Sequence, residues 1–292
     1  MEDFIAWPIW IAIYLFLGGV SAGAFVVAAL SDLFGGEKYR SLARIASYLA
    51  PVPILIGLLC LVFDLGLPFT FWKLLIYPNI TSVLSVGTFL LSVFSPVTII
   101  YAYLLFSQRN SPYKQPEGLQ MVLAWAGILL SIGVAAYTAL LLQSVSVNAV
   151  WATSMLWLLF VISAFSTGIA LTLLVTHFVA DDAKEAMHFW TRFDAYLIGG
   201  ELVVILLMIV GWSLTTGGPG GGQVALQTLV LGGYAPIFWI GVILFGLLVP
   251  LLLEYKELKG GGGPMLTVMA SVLILVGGYL LRHVILFAGQ LA

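Results

Sequence analysis

Eight long, continuously apolar runs occupy most of this 292-residue chain. Each is long enough to cross a hydrocarbon core of roughly 30 Å at about 1.5 Å per helical residue. The runs do not alternate apolar and polar residues, so they are not typical of barrel strands. Because backbone groups in lipid must pair within their own segment, the runs predict transmembrane α-helices. They cover residues 9–34, 44–67, 81–106, 119–143, 151–179, 189–214, 233–253 and 265–288.

Charged residues are too few for a soluble domain. They make up 8% of the chain, whereas soluble domains carry about a quarter. The sequence therefore predicts an all-α integral membrane protein, surrounded by lipid and without a nucleic-acid partner. The opening Met-Glu-Asp has no basic segment, so we expect no cleaved signal peptide. The single cysteine, Cys60, lies in an apolar run and is interpreted as a buried bystander.

Basic residues are distributed unevenly between the two sets of helix ends. Nine of the eleven Lys and Arg fall at one set, and Lys73 and Arg282 fall near the other. By the positive-inside rule, the basic set faces the cytoplasm. The sequence thus predicts a multi-pass protein of the inner (cytoplasmic) membrane, with both termini on the non-cytoplasmic, periplasmic side. The nine are Lys38, Arg40, Arg44, Arg109, Lys114, Lys184, Arg192, Lys256 and Lys259.

An internal repeat relates the two halves of the chain. YLFLGGVSAGA of the first predicted helix aligns with LFVISAFSTGI of the fifth, which matches Ser21 to Ser166 and Gly23 to Gly168. The offset is four helices, so the halves cross the membrane in the same direction. We therefore predict two four-helix bundles, one formed by residues 1–144 and the other by residues 145–292.

Ligands for redox cofactors are scarce in this sequence. The three histidines cannot supply two axial pairs at matching depths, as a diheme membrane protein requires, and one cysteine cannot hold an iron–sulfur cluster. The glycine-rich segments do not form a dinucleotide or phosphate motif, since none follows a strand. We predict no haem, no iron–sulfur cluster and no metal ligand in this chain. The histidines are His177, His188 and His283.

Ionisable residues inside the predicted spans are candidates for function. A charge at the centre of a bilayer costs roughly 2.5–3.5 kcal/mol on insertion scales, so such residues are rarely incidental. One interpretation is a structural pair, such as Arg282 with Asp64, and the other is a proton relay. Asp194 and Asp32 lie near the cytoplasmic interface, where solvation alone explains them. The candidates within the spans are Asp64, Glu201, Arg282 and His283.

Six motifs follow one another in a characteristic order. They are YLFLGGVSAGAF (14–25), YPNITSVLSVGTFLLSVFSPV (77–97), YTALLL (137–142), WATSMLWLLFVISAFSTG (151–168), FDAYLIGGEL (193–202) and GGYLLRHVILFAGQ (277–290). This ordered set resembles the NrfD-like membrane subunits of polysulfide reductase and related respiratory complexes. The resemblance spans nearly the whole chain.

The resemblance implies a quinone-reactive subunit that carries no redox cofactor of its own. A quinone, expected to be menaquinone, would exchange electrons with a ferredoxin-like iron–sulfur subunit that connects to a molybdopterin catalytic subunit. Relatives place the quinone head between the first helix and a tyrosine of the fourth, which matches Tyr137. Tyr14 stands where the family pattern has His, and Ile11 where it has Asn. Asn79 is a further head-group candidate.

Two other functions are compatible with the sequence. Secondary transporters and channels also have ionisable residues near the bilayer midplane, as Glu201 is here, and parallel internal repeats. A passive anchor would only tether a partner. An anchor leaves the cost of Asp64, Glu201 and Arg282 in lipid without an explanation.

Overall fold

A computed structural model describes residues 7–64, 82–144, 150–215, 221–260 and 265–291. In these ranges the regular structure is helical. Eight helical spans of the described residues are long and apolar enough to cross a membrane, as the sequence predicted. They are Ile9–Phe34, Glu37–Phe63, Val83–Ser107, Leu119–Gln143, Leu156–Val179, Lys184–Leu214, Ile237–Leu258 and Met265–Leu291.

The α-helices are numbered in chain order. They are α1 (Ile9–Phe34), α2 (Arg40–Leu49), α3 (Pro51–Asp64), α4 (Val83–Ser107), α5 (Leu119–Gln143), α6 (Leu156–Val179), α7 (Lys184–Leu214), α8 (Gly222–Ala225), α9 (Val249–Leu258) and α10 (Met265–Leu291). Two segments have the wider turns of a π-helix. They are Leu226–Val230, which follows α8, and Ile237–Leu248, which leads directly into α9.

Several predicted span ends differ from the structure by a few residues. The second was predicted as one helix over 44–67, and the span does pass through Ala50, whose backbone is helical (φ −56°, ψ −46°), into Pro51. Proline has no N–H to donate, so one backbone hydrogen bond of the helix is lost there. The hydroxyl of Ser21 donates to the carbonyl of Ala50 at 2.6 Å and so ties this part of the span to α1. The seventh was predicted to end at residue 253, but its helix continues to Leu258.

Both ends of the described residues lie on one side of the structure, which is called the terminal side below. The backbone N–H of Trp7 donates to the side chain of Gln290 at 2.9 Å, and the Gln290 amide donates back to the Trp7 carbonyl at 3.1 Å. Trp151 stacks on Trp7 with ring centroids 5.3 Å apart, and its indole donates to the carbonyl of Ile285. These two tryptophans therefore hold the two ends together.

On the opposite side of the structure, segments that connect other helices contact one another. Lys38 of the α1–α2 connection and Glu185 in the first turn of α7 form an exposed ion pair at 2.8 Å. The hydroxyl of Ser41 donates to Asp182 at 2.6 Å across the same gap. Exposed ion pairs contribute little to stability, about 0–1 kcal/mol, so the interior carries most of the fold.

Helix α1 lies at the centre of the structure. It contacts α2, α3 and α5 from the first half of the sequence, and α6 and α10 from the second. Its crossing with α6 brings together residues that the repeat aligns. A Cβ atom on Gly23 would lie 2.9 Å from the Cα of Gly168, and one on Gly19 would lie 3.2 Å from the Cβ of Ala164. Small residues thus allow the two backbones to approach closely.

Candidate functional site

Two buried tyrosines meet near the terminal side. Tyr14 lies five residues from the start of α1 and Tyr137 six residues from the end of α5, about 8 Å and 9 Å from those ends. Tyr14 is fully buried, and 4% of Tyr137 is exposed. The phenol groups are close enough to interact. Neither hydroxyl reaches hydrogen-bond geometry with the other or with another described residue.

Glycines on two further helices make room for these rings. A Cβ atom on Gly87 of α4 would overlap the ring and hydroxyl of Tyr137. A Cβ atom on Gly57 of α3 would lie 3.4 Å from Cδ2 of Tyr14. Helices α1, α3, α4 and α5 therefore converge on the tyrosine pair. The pair presents two phenolic donors, which can bind carbonyl oxygens.

Arg282 is buried deep in α10. It lies nine residues, about 14 Å, from the helix end, and is deeper than the sequence indicated because α10 continues to Leu291. Its Nη1 donates to the hydroxyl of Ser163 at 3.0 Å and to the carbonyl of Gly278 at 2.8 Å. Among the described residues, Nε and Nη2 have no hydrogen-bond partner. Nη2 would lie 2.9 Å from a Cβ atom on Gly19, so the guanidinium is pressed against α1.

Glu201 approaches the same position from α7. It is 3% exposed, and its Oε1 has no hydrogen-bond partner within the described part of the protein. It interacts with Ser163 and Arg282, although it forms no ion pair within 4.0 Å with any described residue. A space of about 10 Å³ beside Glu201 and Ser163 is enough for about one water molecule. Ser163 therefore connects the carboxyl with the guanidinium.

Asp194 corrects an expectation from the sequence. Solvation at the interface was expected to explain it, but the residue is fully buried. Neither of its carboxyl oxygens reaches a hydrogen-bond partner in the described ranges. It faces Ser166 of α6 and interacts with Glu201 and Glu254. Distance from the helix end did not reveal this burial because the neighbouring helices cover the carboxyl.

Solvation is also an incomplete explanation for Asp32. Its carboxyl accepts hydrogen bonds from the hydroxyl of Tyr101 at 2.6 Å and from the amide of Gln120 at 2.7 Å. The Gln120 carbonyl in turn accepts from Gln108 at 2.8 Å. Asp32 thus ties α1 to α4 and α5 near the opposite side.

Sequence reasoning missed Glu254. It was assigned to a cytoplasmic connection, but it lies in α9 and is 2% exposed. Its Oε2 has no hydrogen-bond partner among the described residues, and it interacts with Asp194 and Glu257. One signal was available, since Glu254 directly follows the apolar residues Leu251–Leu253, and no Gly or Pro separates it from them.

Of the remaining predicted residues, His283 is described and does not join these groups. His283 packs against Tyr279 and Phe287, with ring centroids 5.9 Å and 4.5 Å apart. It follows Arg282 directly, so the two side chains leave the helix about 100° apart. Asp64 ends α3, but its side chain lies outside the described part, as does the whole of Asn79. Their predicted roles, and the pairing of Asp64 with Arg282, stay predictions.

A separate cavity lies near the opposite side, away from the tyrosine pair. Its volume is about 360 Å³, and its walls are mainly apolar and aromatic. The indole of Trp190 donates to the hydroxyl of Ser31 at 2.9 Å within its wall. The residues that line it are Leu30, Ser31, Phe34, Gly35, Tyr39, Phe189, Trp190 and Phe193. Across the described ranges, no group of three or more His, Cys, Asp or Glu is placed to hold a metal ion.

Eight apolar spans that enclose buried carboxyls, an arginine and a tyrosine pair define a multi-pass membrane protein with a polar interior. The sequence matches the family described as polysulphide reductase, NrfD, over residues 1–292. The protein therefore belongs to the NrfD family of membrane subunits, as the motifs predicted.

Curated relatives support this assignment over most or nearly all of this sequence. A polysulfide reductase subunit of Wolinella succinogenes is 33% identical over 304 residues, which cover 97% of this sequence and 93% of the relative. Protein NrfD of Escherichia coli is 31% identical over 310 residues, with coverage of 98% and 94%. An Hdr-like menaquinol oxidoreductase integral membrane subunit of Archaeoglobus fulgidus is 26% identical over 251 residues, with coverage of 83% and 60%.

Proposed function

We propose that this protein is the quinone-reactive membrane subunit of a respiratory oxidoreductase. It exchanges electrons between a membrane quinone and a peripheral, ferredoxin-like iron–sulfur subunit, which connects to a molybdopterin catalytic subunit. Oxidation of a quinol releases two electrons and two protons. The electrons leave to the partner's cluster, and the side chains of this subunit receive the protons. The menaquinol oxidoreductase subunit among the relatives favours menaquinone as the quinone.

The tyrosine pair is the observation that carries this function. Two buried hydroxyls without partners among the described residues are unusual, since buried polar groups are normally hydrogen-bonded. A quinone carbonyl between Tyr14 and Tyr137 would accept a hydrogen bond from either phenol. Gly57 and Gly87 allow the two rings to pack closely against the backbones of α3 and α4. Asn79 is proposed as a further head-group contact.

Removal of one hydroxyl tests this site. Tyr137→Phe keeps the ring and loses a donor to the quinone, which is worth about 1–3 kcal/mol. We expect quinol-linked kcat/KM of the assembled complex to fall about 5- to 150-fold, and Tyr14→Phe to behave similarly. Tyr103→Phe is the matched control because Tyr103 is 66% exposed on the outer surface of α4. Unchanged turnover in both site variants would remove the pair from the quinone site.

The electron partner is proposed to dock on the terminal side, where the tyrosine pair lies. The docking loops are residues 73–79 and 217–223, which lie largely outside the described ranges. The terminal side is assigned to the periplasm, because described basic residues of the opposite side, such as Arg40 and Arg109, belong to the more basic set. The two four-helix bundles remain residues 1–144 and 145–292 in this proposal.

Proton translocation is proposed as a second function of the same subunit. The buried groups Asp194, Glu201 and Arg282 favour it, since their burial is costly in a protein that only tethers a partner. They follow one another from the opposite side toward α1, with Ser163 between Glu201 and Arg282. Glu201→Gln should abolish proton translocation in proteoliposomes while quinol-linked electron transfer continues. Solute flux by the isolated subunit would instead support a transporter.

A further inference from the structure

Asp194 and Glu254 form a buried carboxyl pair toward the opposite side. Asp194 lies ten residues into α7, and Glu254 lies four residues before the end of α9. These two helices pack against each other. Asp194 is fully buried and Glu254 is 2% exposed. The carboxyls interact with each other across the helix contact.

Several oxygen atoms around the pair have no hydrogen-bond partner among the described residues. They include both carboxyl oxygens of Asp194 and Oε2 of Glu254. The hydroxyl of Ser166, which is also fully buried and faces Asp194, has none either, nor does that of Thr191, one turn earlier on α7. Buried oxygens are normally hydrogen-bonded, and a proton bound between the two carboxyls would supply such a bond.

Among the described residues, the charged groups that face the pair do not neutralise it. The ionisable neighbours that interact with it are two more acids, Glu201 along α7 and Glu257 along α9. The ion pair found in the described ranges, Lys38 with Glu185, lies on the exposed surface. Two carboxylates that share a buried site cannot both stay charged, because each opposes ionisation of the other and both lose hydration.

We propose that Asp194 and Glu254 bind one exchangeable proton between them, as a carboxyl–carboxylate pair. The protonated carboxyl donates to its partner, and the hydroxyl of Ser166 is the side-chain donor that faces them. The pair is thus a proton-binding site, separate from the tyrosine pair. If protons are translocated as proposed, this pair is the inner end of a route to Glu201, and that role rests on the proposed function. The binding of one proton by the pair does not depend on it.

Infrared spectroscopy of the purified complex tests for the bound proton. At neutral pH we expect the carbonyl stretch of one protonated carboxyl per subunit, shifted in D₂O, and its loss in Asp194→Asn/Glu254→Gln. Glu185→Gln, which alters an exposed ion-paired carboxyl on the same helix, should leave the band unchanged. Identical spectra for the wild-type protein and the double variant would overturn the proposal.

Two further measurements cover the other outcomes. If sodium chloride removes the band and choline chloride does not, the oxygens bind a cation and the proton assignment is wrong. If the double variant fails to assemble, the experiment uses wild-type protein labelled with ¹³C in its aspartate and glutamate carboxyls. Absence of a carbonyl band that shifts both with ¹³C and in D₂O would contradict the assignment. Quinol turnover, measured in parallel, distinguishes failure of this proposal from failure of the proposed quinone site. If the tyrosine variants do not change turnover, the quinone site is wrong, but the carboxyl band is still expected.

Discussion

Adjacent glycines of α1 give a sharp prediction about how Arg282 is held. Carbon and nitrogen atoms in contact lie about 3.5–4.0 Å apart. A Cβ atom on Gly19 would lie 2.9 Å from Nη2 of Arg282 and 3.2 Å from the Cβ of Ala164. One on Gly18 would have its nearest neighbour, Cγ2 of Thr138, at 3.9 Å. Gly19→Ala is therefore overpacked, and Gly18→Ala is not.

Both variants gain the same helix propensity, so the difference between their free energies of unfolding reports the close contacts at position 19. Alanine gains about 0.8–1.0 kcal/mol over glycine in a helix, and overpacking costs about 1–3 kcal/mol. We expect Gly18→Ala to be as stable as the wild-type protein or more so. Gly19→Ala should be about 1–3 kcal/mol less stable than Gly18→Ala. Thermal unfolding of the detergent-purified protein measures this, and equal midpoints would refute the placement of Arg282 against α1.

Other predictions concern the glycine contacts and the tyrosine pair. Gly87→Ala should displace the ring of Tyr137 and raise the KM for quinol, whereas Gly199→Ala, whose Cβ atom would meet nothing within 4 Å, should not. Steady-state kinetics with a soluble quinol distinguishes them, and a normal KM in the first variant would contradict the site. Gly23→Ala should destabilise the α1–α6 crossing at Gly168, which a lower unfolding midpoint would record; an unchanged midpoint would argue against that crossing.

Length and hydropathy predicted the helices well, because a membrane span has a nearly fixed length. The predicted span over 119–143 coincides with α5. The second span was predicted to continue through Pro51, and the helical backbone of Ala50 confirms this. The contact of Gly23 with Gly168 joins positions that the repeat had aligned.

The buried acids were harder to predict than the tyrosines. Tyr14 and Tyr137 were indicated by motifs, and the structure brings them together. The burial of Asp194 and Glu254 depends on which helix faces overlie them, and helix position alone does not contain that information. Glu254 was also excluded because the helix was predicted to end at residue 253, five residues before its end at Leu258. The partner of Arg282 was unpredictable for a related reason, because Ser163 lies 119 residues away in sequence.

Photoaffinity labelling with an azidoquinone tests the quinone site most directly, because it locates the ligand without relying on turnover. The purified complex is irradiated with the analogue, and labelled peptides are identified by mass spectrometry. We predict labelling of peptides that contain Tyr14 or Tyr137, reduced by excess menaquinone. Competable labelling confined to the opposite side, around Trp190 and the aromatic cavity, would contradict the site.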